Sequence, residues 1–475
     1  MPVYGIARYV LSRREALVAA GVSMGAPLTF HTSFVTAENL AYPLALIAVW
    51  AMLATLSRPS VPRDALVLGA IAVAAAAKLE LLALVPAALT AVAVAALLAR
   101  AHEGVGPALA RALRRHRLLV AGGCAALAGA LVYALIESPD LPSVRGFAEQ
   151  AVWHVAALDL AVGVVPFVGA LFAAYAFFRS RMAPAQVPFA AVALSVTAWV
   201  IVALAANHAG STPPLHERSL IYVVPLFVVA LLATLRLPDA TPWPRVALLA
   251  AVPAALLPAA LPFDRAIDLS TVVDTFALQP LARIEDGALR PIPHVVLSAV
   301  LGCLFFGLAY GVARRISTRA LVALVLIAFV FAGMQTRSRI ALGAEVGRVT
   351  LPWHRDWVDR AAPTDDIVLI TDSQAESAIA TAETLFFNES ITSIYTTCAG
   401  ALGPDFDERK VALVSDGSLA GAGGALRTRF AVVPDAWEVE GDVLATNVRG
   451  SQVLVRPARG LISVPRNTRA GVTCG

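Results

Sequence analysis

Long apolar runs follow one another from residue 15 to residue 335, each bounded by a short polar segment, and this series fixes the kind of fold open to the chain. The runs occupy roughly 15–34, 38–57, 65–78, 80–99, 117–136, 156–178, 186–207, 219–235, 245–262, 293–313 and 319–335. Most have the length that a helix needs to cross about 30 Å of hydrocarbon. Inside a bilayer the backbone must satisfy its own polar groups, and a helix does so within one segment. An all-α polytopic membrane bundle of about eleven crossings is therefore expected. A content of 58% hydrophobic and 15% charged residues, with a mean hydropathy of +0.74, excludes an ordinary soluble protein. The stretch 65–99 is too long for one crossing and carries Lys78-Leu79-Glu80 at its centre, so it reads as two short helices joined by a tight turn.

Charge sets the orientation. With Arg13-Arg14 in the cytoplasm, the alternate loops Arg58–Arg63, Arg100–Arg117, Arg179–Arg181, Arg236–Arg245 and Arg314–Arg319 are cytoplasmic too, and all are basic. The opposite face then collects His31–Glu38, Lys78–Glu80, Glu137–Gln150, Asn207–Arg218, Phe263–Pro293 and everything after Gln335. A net charge of +4, with the basic residues spread in short inter-helix clusters, argues against a nucleic-acid partner. Abundant Ala, Val, Leu, Arg and Pro with almost no Lys suggests a high-GC bacterial genome, hence an inner membrane. The segment Met1–Arg14 has no cleavable signal pattern, because its apolar part precedes the basic pair.

After residue 335 the composition becomes that of a globular domain, which divides the chain into a transmembrane region 1–335 and an extracytoplasmic region 336–475. Asp366–Thr371, Lys410–Ser415, Thr428–Pro434 and Gln452–Arg456 read as strands, and Trp353–Ala361 and Ala375–Thr384 as helices, which predicts a small α/β domain. Cys124 and Cys303 lie in apolar runs and are expected to act as small hydrophobes. Cys398 and Cys474 lie in the tail, where an oxidising compartment would allow one disulfide. The sequon Asn388-Glu389-Ser390 carries meaning only in a glycosylating secretory pathway and is read as incidental.

Three groups fall on the extracytoplasmic face: His31 with Glu38, Lys78 with Glu80, and His216-Glu217-Arg218. A carboxylate such as Glu38 at a helix mouth is costly to desolvate and must meet water, a cation or a substrate. Carboxylates and imidazoles can hold a divalent cation, a carboxylate can accept a proton from a hydroxyl, and Lys or Arg can neutralise phosphate. Together the three groups suit a phosphorylated lipid. Each also has a structural reading: Glu38 as an N-terminal charge favoured by the helix dipole, Lys78 and Glu80 as a solvated turn, His216-Glu217-Arg218 as a snorkelling anchor, and His31 as a packing residue. His154 and Asp159 share no motif and read as interfacial residues.

Five segments resemble the GT-C membrane glycosyltransferases, in particular the bacterial relatives of protein O-mannosyltransferases and aminoarabinose transferases (glycosyltransferase family 39-like). Pro2-Val3-Tyr4-Gly5-Ile6-Ala7-Arg8 is similar to the end of that family's second membrane helix, and Thr36-Ala37-Glu38-Asn39-Leu40-Ala41-Tyr42-Pro43-Leu44 to its acid-led helix start. Ala74–Lys78 followed by Leu82–Pro86 resembles its small-residue, basic, apolar-Pro segment, although Leu79-Glu80 replaces the usual Gly or Pro. His216–Leu226 is similar to its acid-Arg-aromatic segment, and Glu383–Ser390 resembles a Phe-Phe-Asn element in the tails of actinobacterial-type members.

The resemblance implies a bundle with an extracytoplasmic cavity and a polyprenyl-phosphate sugar as donor. It implies transfer with inversion to an envelope glycan, lipid or protein. Glu38 would be the second acidic residue of the catalytic site, orienting the acceptor or a metal, Lys78 and Arg218 would face the phosphate, and His31, His216 and Glu217 would support them or complete a metal site. The resemblance fixes no cofactor, and a divalent metal is the one candidate. The resemblance also places the family's first helix and its principal aspartate before Met1, as in an incomplete gene model or a shortened, inactive protein. The alternatives from other classes are a transporter or flippase for lipid-linked sugars and a non-catalytic membrane scaffold.

Overall fold

A computed structural model describes residues 2–26, 28–29, 38–99, 104–137, 143–178, 186–209, 217–234, 252–254, 256–261, 322–323, 325–330, 333–334, 356–362, 366–371, 381, 384–397, 408–421, 423–437, 439–447 and 451–464. The chain divides into two compact units, Met1–Ser338 and Arg339–Gly475.

The first unit is helical. Its elements are α1 (Pro2–Ala7), α2 (Arg13–Met24), α3 (Glu38–Ser57), α4 (Val61–Ala77), α5 (Leu84–Ala99), α6 (Val105–Arg115), α7 (Arg117–Glu137), α8 (Val144–Val162), α9 (Val164–Phe178), α10 (Val187–His208) and α11 (Val224–Thr234). Short 3-10 turns over Leu79–Ala83 and Glu217–Tyr222 lead into α5 and α11. The apolar runs expected at 38–57, 117–136 and 186–207 coincide closely with α3, α7 and α10. Among the described residues three helices are long and apolar enough to cross a membrane: Glu38–Ser57, Leu79–Leu98 and Val187–His208. Up to five spans result if each bent pair, α6 with α7 and α8 with α9, counts as one. That is fewer than the number of apolar runs. The run 293–313 lies outside the described residues, as do half of 245–262 and parts of 319–335. Among the described residues of the run 15–34, the helix is α2, whose start is fixed by a Ser12/Glu15 capping box.

Sheer apolarity would let these helices slide past one another in lipid, and small residues set their contacts instead. Gly169 lets α9 approach α11 so closely that an added Cβ would sit 2.9 Å from the Leu231 Cα. Gly146, near the start of α8, faces the Ala209 carbonyl oxygen beyond α10, where a Cβ would come within 2.3 Å. This contact brings the α8 backbone against the end of α10 that bears His208.

The second unit is α/β. Strands β1 (Ile367–Thr371), β2 (Ile391–Thr396), β3 (Glu408–Lys410), β7 (Phe430–Pro434), β8 (Gly441–Thr446) and β9 (Gln452–Pro457) form a six-stranded sheet in the order β3-β2-β1-β7-β9-β8. Strands β1, β2, β3 and β7 run parallel, whereas β9 and β8 close the far edge antiparallel. A small antiparallel sheet joins β4 (Ala412–Leu413), β5 (Leu419–Gly421) and β6 (Gly424–Ala425). β1 and β7 are buried along their full length, as parallel strands covered on both faces require. Helix α12 (Trp357–Ala361) packs Trp357 and Val358 against the sheet residues Leu369, Phe430 and Leu454.

Asn388 explains why the Phe-Phe-Asn element sits where it does. Its buried side-chain oxygen accepts from the Val358 and Asp359 amides at 2.9 and 3.2 Å, and its amide nitrogen donates to the Thr384 carbonyl at 2.8 Å. The first N–H groups of a helix have no partner within the helix, and here a side chain from a distant segment supplies it. The Asp359 carboxylate reciprocates by accepting from the Glu389 amide at 3.0 Å and the Ser390 amide at 3.2 Å. An asparagine so fully engaged is closed to glycosylation in the folded domain.

Candidate functional site

One cluster of charged groups in the first unit gathers where α3 begins and α4 ends. Glu38 stands in the first turn of α3, and Lys78 caps the last turn of α4 with its amide donating to the Ala74 carbonyl at 3.0 Å. A carboxylate at a helix N-terminus and an ammonium at a C-terminus are each favoured by the local helix dipole. Because the two ends adjoin, the charges also meet: Lys78 Nζ lies 2.7 Å from Glu38 Oε1.

Two further segments complete the cluster. Lys78 Nζ donates to Ser219 Oγ at 3.0 Å and lies 3.1 Å from Glu80 Oε2, while the Ser219 hydroxyl donates to the same Glu80 oxygen at 2.9 Å. Arg218 Nε lies 3.5 Å from Glu38 Oε1. Glu217, the residue before it, is fully buried. An ammonium has three donors, and Glu38, Glu80 and Ser219 take all three. The Tyr222 hydroxyl is buried within electrostatic reach of Glu38, Glu80 and Arg218, and has no hydrogen-bond partner among the described residues.

This geometry bears on the structural readings of the individual residues. The Glu38 side chain is 2% exposed, Lys78 13% and Glu80 28%, so the charged groups of the 78–80 turn are largely drawn inward, while Leu79 between them stays exposed. Glu38, Lys78, Glu80 and Arg218 come together beside Ser219, and Glu217 is buried next to them in sequence, whereas His31 and His216 lie outside the described residues. So do Cys303, Cys398 and Cys474, and with the last two the expected disulfide. Cys124 is a free thiol, exposed on α7. No group of three or more metal-ligating side chains occurs among the described residues.

His154 and Asp159 correct the sequence reading. Both were expected at an interface, and both are fully buried, because α8 extends from Val144 to Val162 and carries them into the bundle. His154 Nδ1 lies 2.8 Å from the Gln150 carbonyl, which can only accept, so the proton is placed on Nδ1. Its ring stacks on that of His208 with centroids 6.0 Å apart. His208 in turn lies within electrostatic reach of Glu80, so the imidazole pair adjoins the Lys78 cluster. Ser219 and Tyr222 were also missed as individual residues. The available signal was Ser219 following directly on a charged triplet, and Lys78 being one of only two lysines in the chain.

No protein-family model, characterised protein or solved structure matches the chain.

Proposed function

We propose that the chain is an integral-membrane glycosyltransferase that moves a sugar from a polyprenyl-phosphate donor to an envelope acceptor. The observation that supports this reading best is the convergence of Glu38, Lys78, Arg218 and Ser219, from three segments of the chain, at one end of the bundle. In the reaction a hydroxyl of the acceptor attacks the anomeric carbon and its proton passes to Glu38. The bond from that carbon to the phosphate oxygen breaks with inversion, and polyprenyl phosphate departs with one more negative charge. Lys78 and Arg218 offset that charge.

The saturated ammonium adds a coupling. Phosphate reaches Lys78 only by exchanging with one of its three acceptors, and exchange with Glu38 would release a carboxylate as the donor binds. Donor binding would thus create the base. Binding of polyprenyl phosphate, followed by native mass spectrometry with uncharged polyprenol as control, tests the anion site. The reading requires preference for the phosphate and its loss in Arg218→Gln. Equal binding of both lipids would exclude it.

One observation favours a transporter for lipid-linked sugars as a second reading. Asp159 is buried near the Gly163 break, where α8 and α9 bend by 112°, and neither of its carboxylate oxygens has a hydrogen-bond partner among the described residues. Intramembrane acids beside broken helices are a feature of transport sites. Protein-dependent flipping of a labelled polyprenyl-phosphate sugar in liposomes, abolished by Asp159→Asn, would select this reading.

A further inference from the structure

The basic stretch that charge assigns to a cytoplasmic loop folds into a helix that the proposed reaction does not use. Helix α6 lies at 88° to α7, which is apolar over most of its length. If α7 crosses the bilayer, α6 runs along its surface. At about 100° per residue, Arg111, Arg114 and Arg115 share one side of α6. Leu109, Ala112 and Leu113 fall on the other, with Ala108 at the boundary beside Arg115. Ala108 is buried and Ala112 packs on the core of the bundle, whereas Leu113 is 41% exposed at the edge of this apolar face and all three arginines are exposed. An apolar edge beside a row of arginines on a helix in the surface plane is the pattern of an interfacial helix.

The elbow that sets this angle is fastened from below. His116, between α6 and α7, places Nδ1 3.0 Å from Asp64 Oδ1, and both side chains are buried. Asp64 belongs to the first turn of α4 and follows Arg58 and Arg63, so the elbow is tied to the arginine-bearing end of the bundle.

We propose that α6 is a docking surface for the headgroups of anionic phospholipids in the membrane that α7 crosses. The arginines take the phosphates and Leu113 enters the headgroup–acyl boundary, while the Asp64–His116 contact holds the helix in that plane. Charge complementarity selects this occupant, because the exposed side of α6 carries only basic charge. The site lies apart from the Lys78 cluster, at the opposite end of α4, so the proposal stands independently of the glycosyltransferase reading.

The full chain would be reconstituted in a mixture of phosphatidylcholine and phosphatidylglycerol, and the lipids retained on extraction would be counted by native mass spectrometry. Wild type is expected to enrich phosphatidylglycerol, with a loss of about fivefold per arginine removed in Arg111→Gln, Arg114→Gln and Arg115→Gln, shrinking as salt is raised. Unchanged enrichment in the triple variant with its thermal transition intact would overturn the proposal. A photo-crosslinking residue at exposed Ala110 gives a second readout. A phospholipid adduct supports the proposal, and capture of a second copy or another protein contradicts it.

Discussion

Lys78 Nζ sits 2.7 Å from Glu38 Oε1 although the residues are 40 positions apart, and this contact joins the start of α3 to the end of α4. Ammonium and carboxylate are both largely withdrawn from solvent, so neither can be removed without leaving the other in a poor environment. Lys78→Met is expected to destabilise the bundle by about 3–5 kcal/mol. Adding Glu38→Gln should recover part of that loss, giving a coupling of about 0.5–3 kcal/mol in a double-mutant cycle read by thermal unfolding in detergent. Strict additivity would mean that the pair is not coupled.

Ser219 is the hub between Lys78 and Glu80, accepting from one and donating to the other. Ser219→Ala removes two hydrogen bonds to charged groups, each worth about 1.5–3 kcal/mol. The expected outcome is a lower unfolding temperature and faster hydrogen exchange over Glu217–Tyr222. An unaltered exchange pattern would remove Ser219 from the cluster.

Much of the helical layout is legible in the sequence because its physical signal is strong. The edges of the runs at 38–57 and 186–207 nearly coincide with α3 and α10, where polar residues stop the apolar pattern. The α8–α9 break was not legible: 156–178 reads as one apolar run, and the bend inside it depends on Gly163 at φ 74°, a single residue that composition does not flag. The tail strands β1, β7 and β9 were readable as apolar runs, but β2 and β8 were not, since both are largely exposed or half-buried and carry a mixed pattern. For the site, helix-mouth charges marked Glu38, Lys78, Glu217 and Arg218. The convergence of Lys78 and Glu80 on Ser219 depends on contacts spanning 141 and 139 positions, which no local pattern encodes.

The elbow between α6 and α7 depends on one buried pair. Asp64 Oδ2 has no hydrogen-bond partner among the described residues, so His116 supplies the contact that keeps this carboxylate buried. His116→Leu should lower stability by about 3–5 kcal/mol, and Asp64→Asn combined with it should cost less than His116→Leu alone. Guanidinium titration of the reconstituted protein would compare the two.

In the tail, Asn388→Ala leaves the Val358 and Asp359 amides without their acceptor. A loss of about 1–3 kcal/mol is expected, localised to α12. Hydrogen exchange on the full chain should show these two amides deprotected while β1 and β7 remain slow. Global deprotection of the sheet would show instead that Asn388 holds the whole domain.

The central claim is that Glu38 accepts the proton of the attacking hydroxyl. Its most direct test is transfer of radiolabel from polyprenyl-phosphate hexose and pentose donors to envelope acceptors by the reconstituted chain, compared with Glu38→Gln at equal folded protein. The account predicts transfer by wild type and a rate lower by about 10²–10⁴ in the variant. Transfer at the wild-type rate in Glu38→Gln would contradict it.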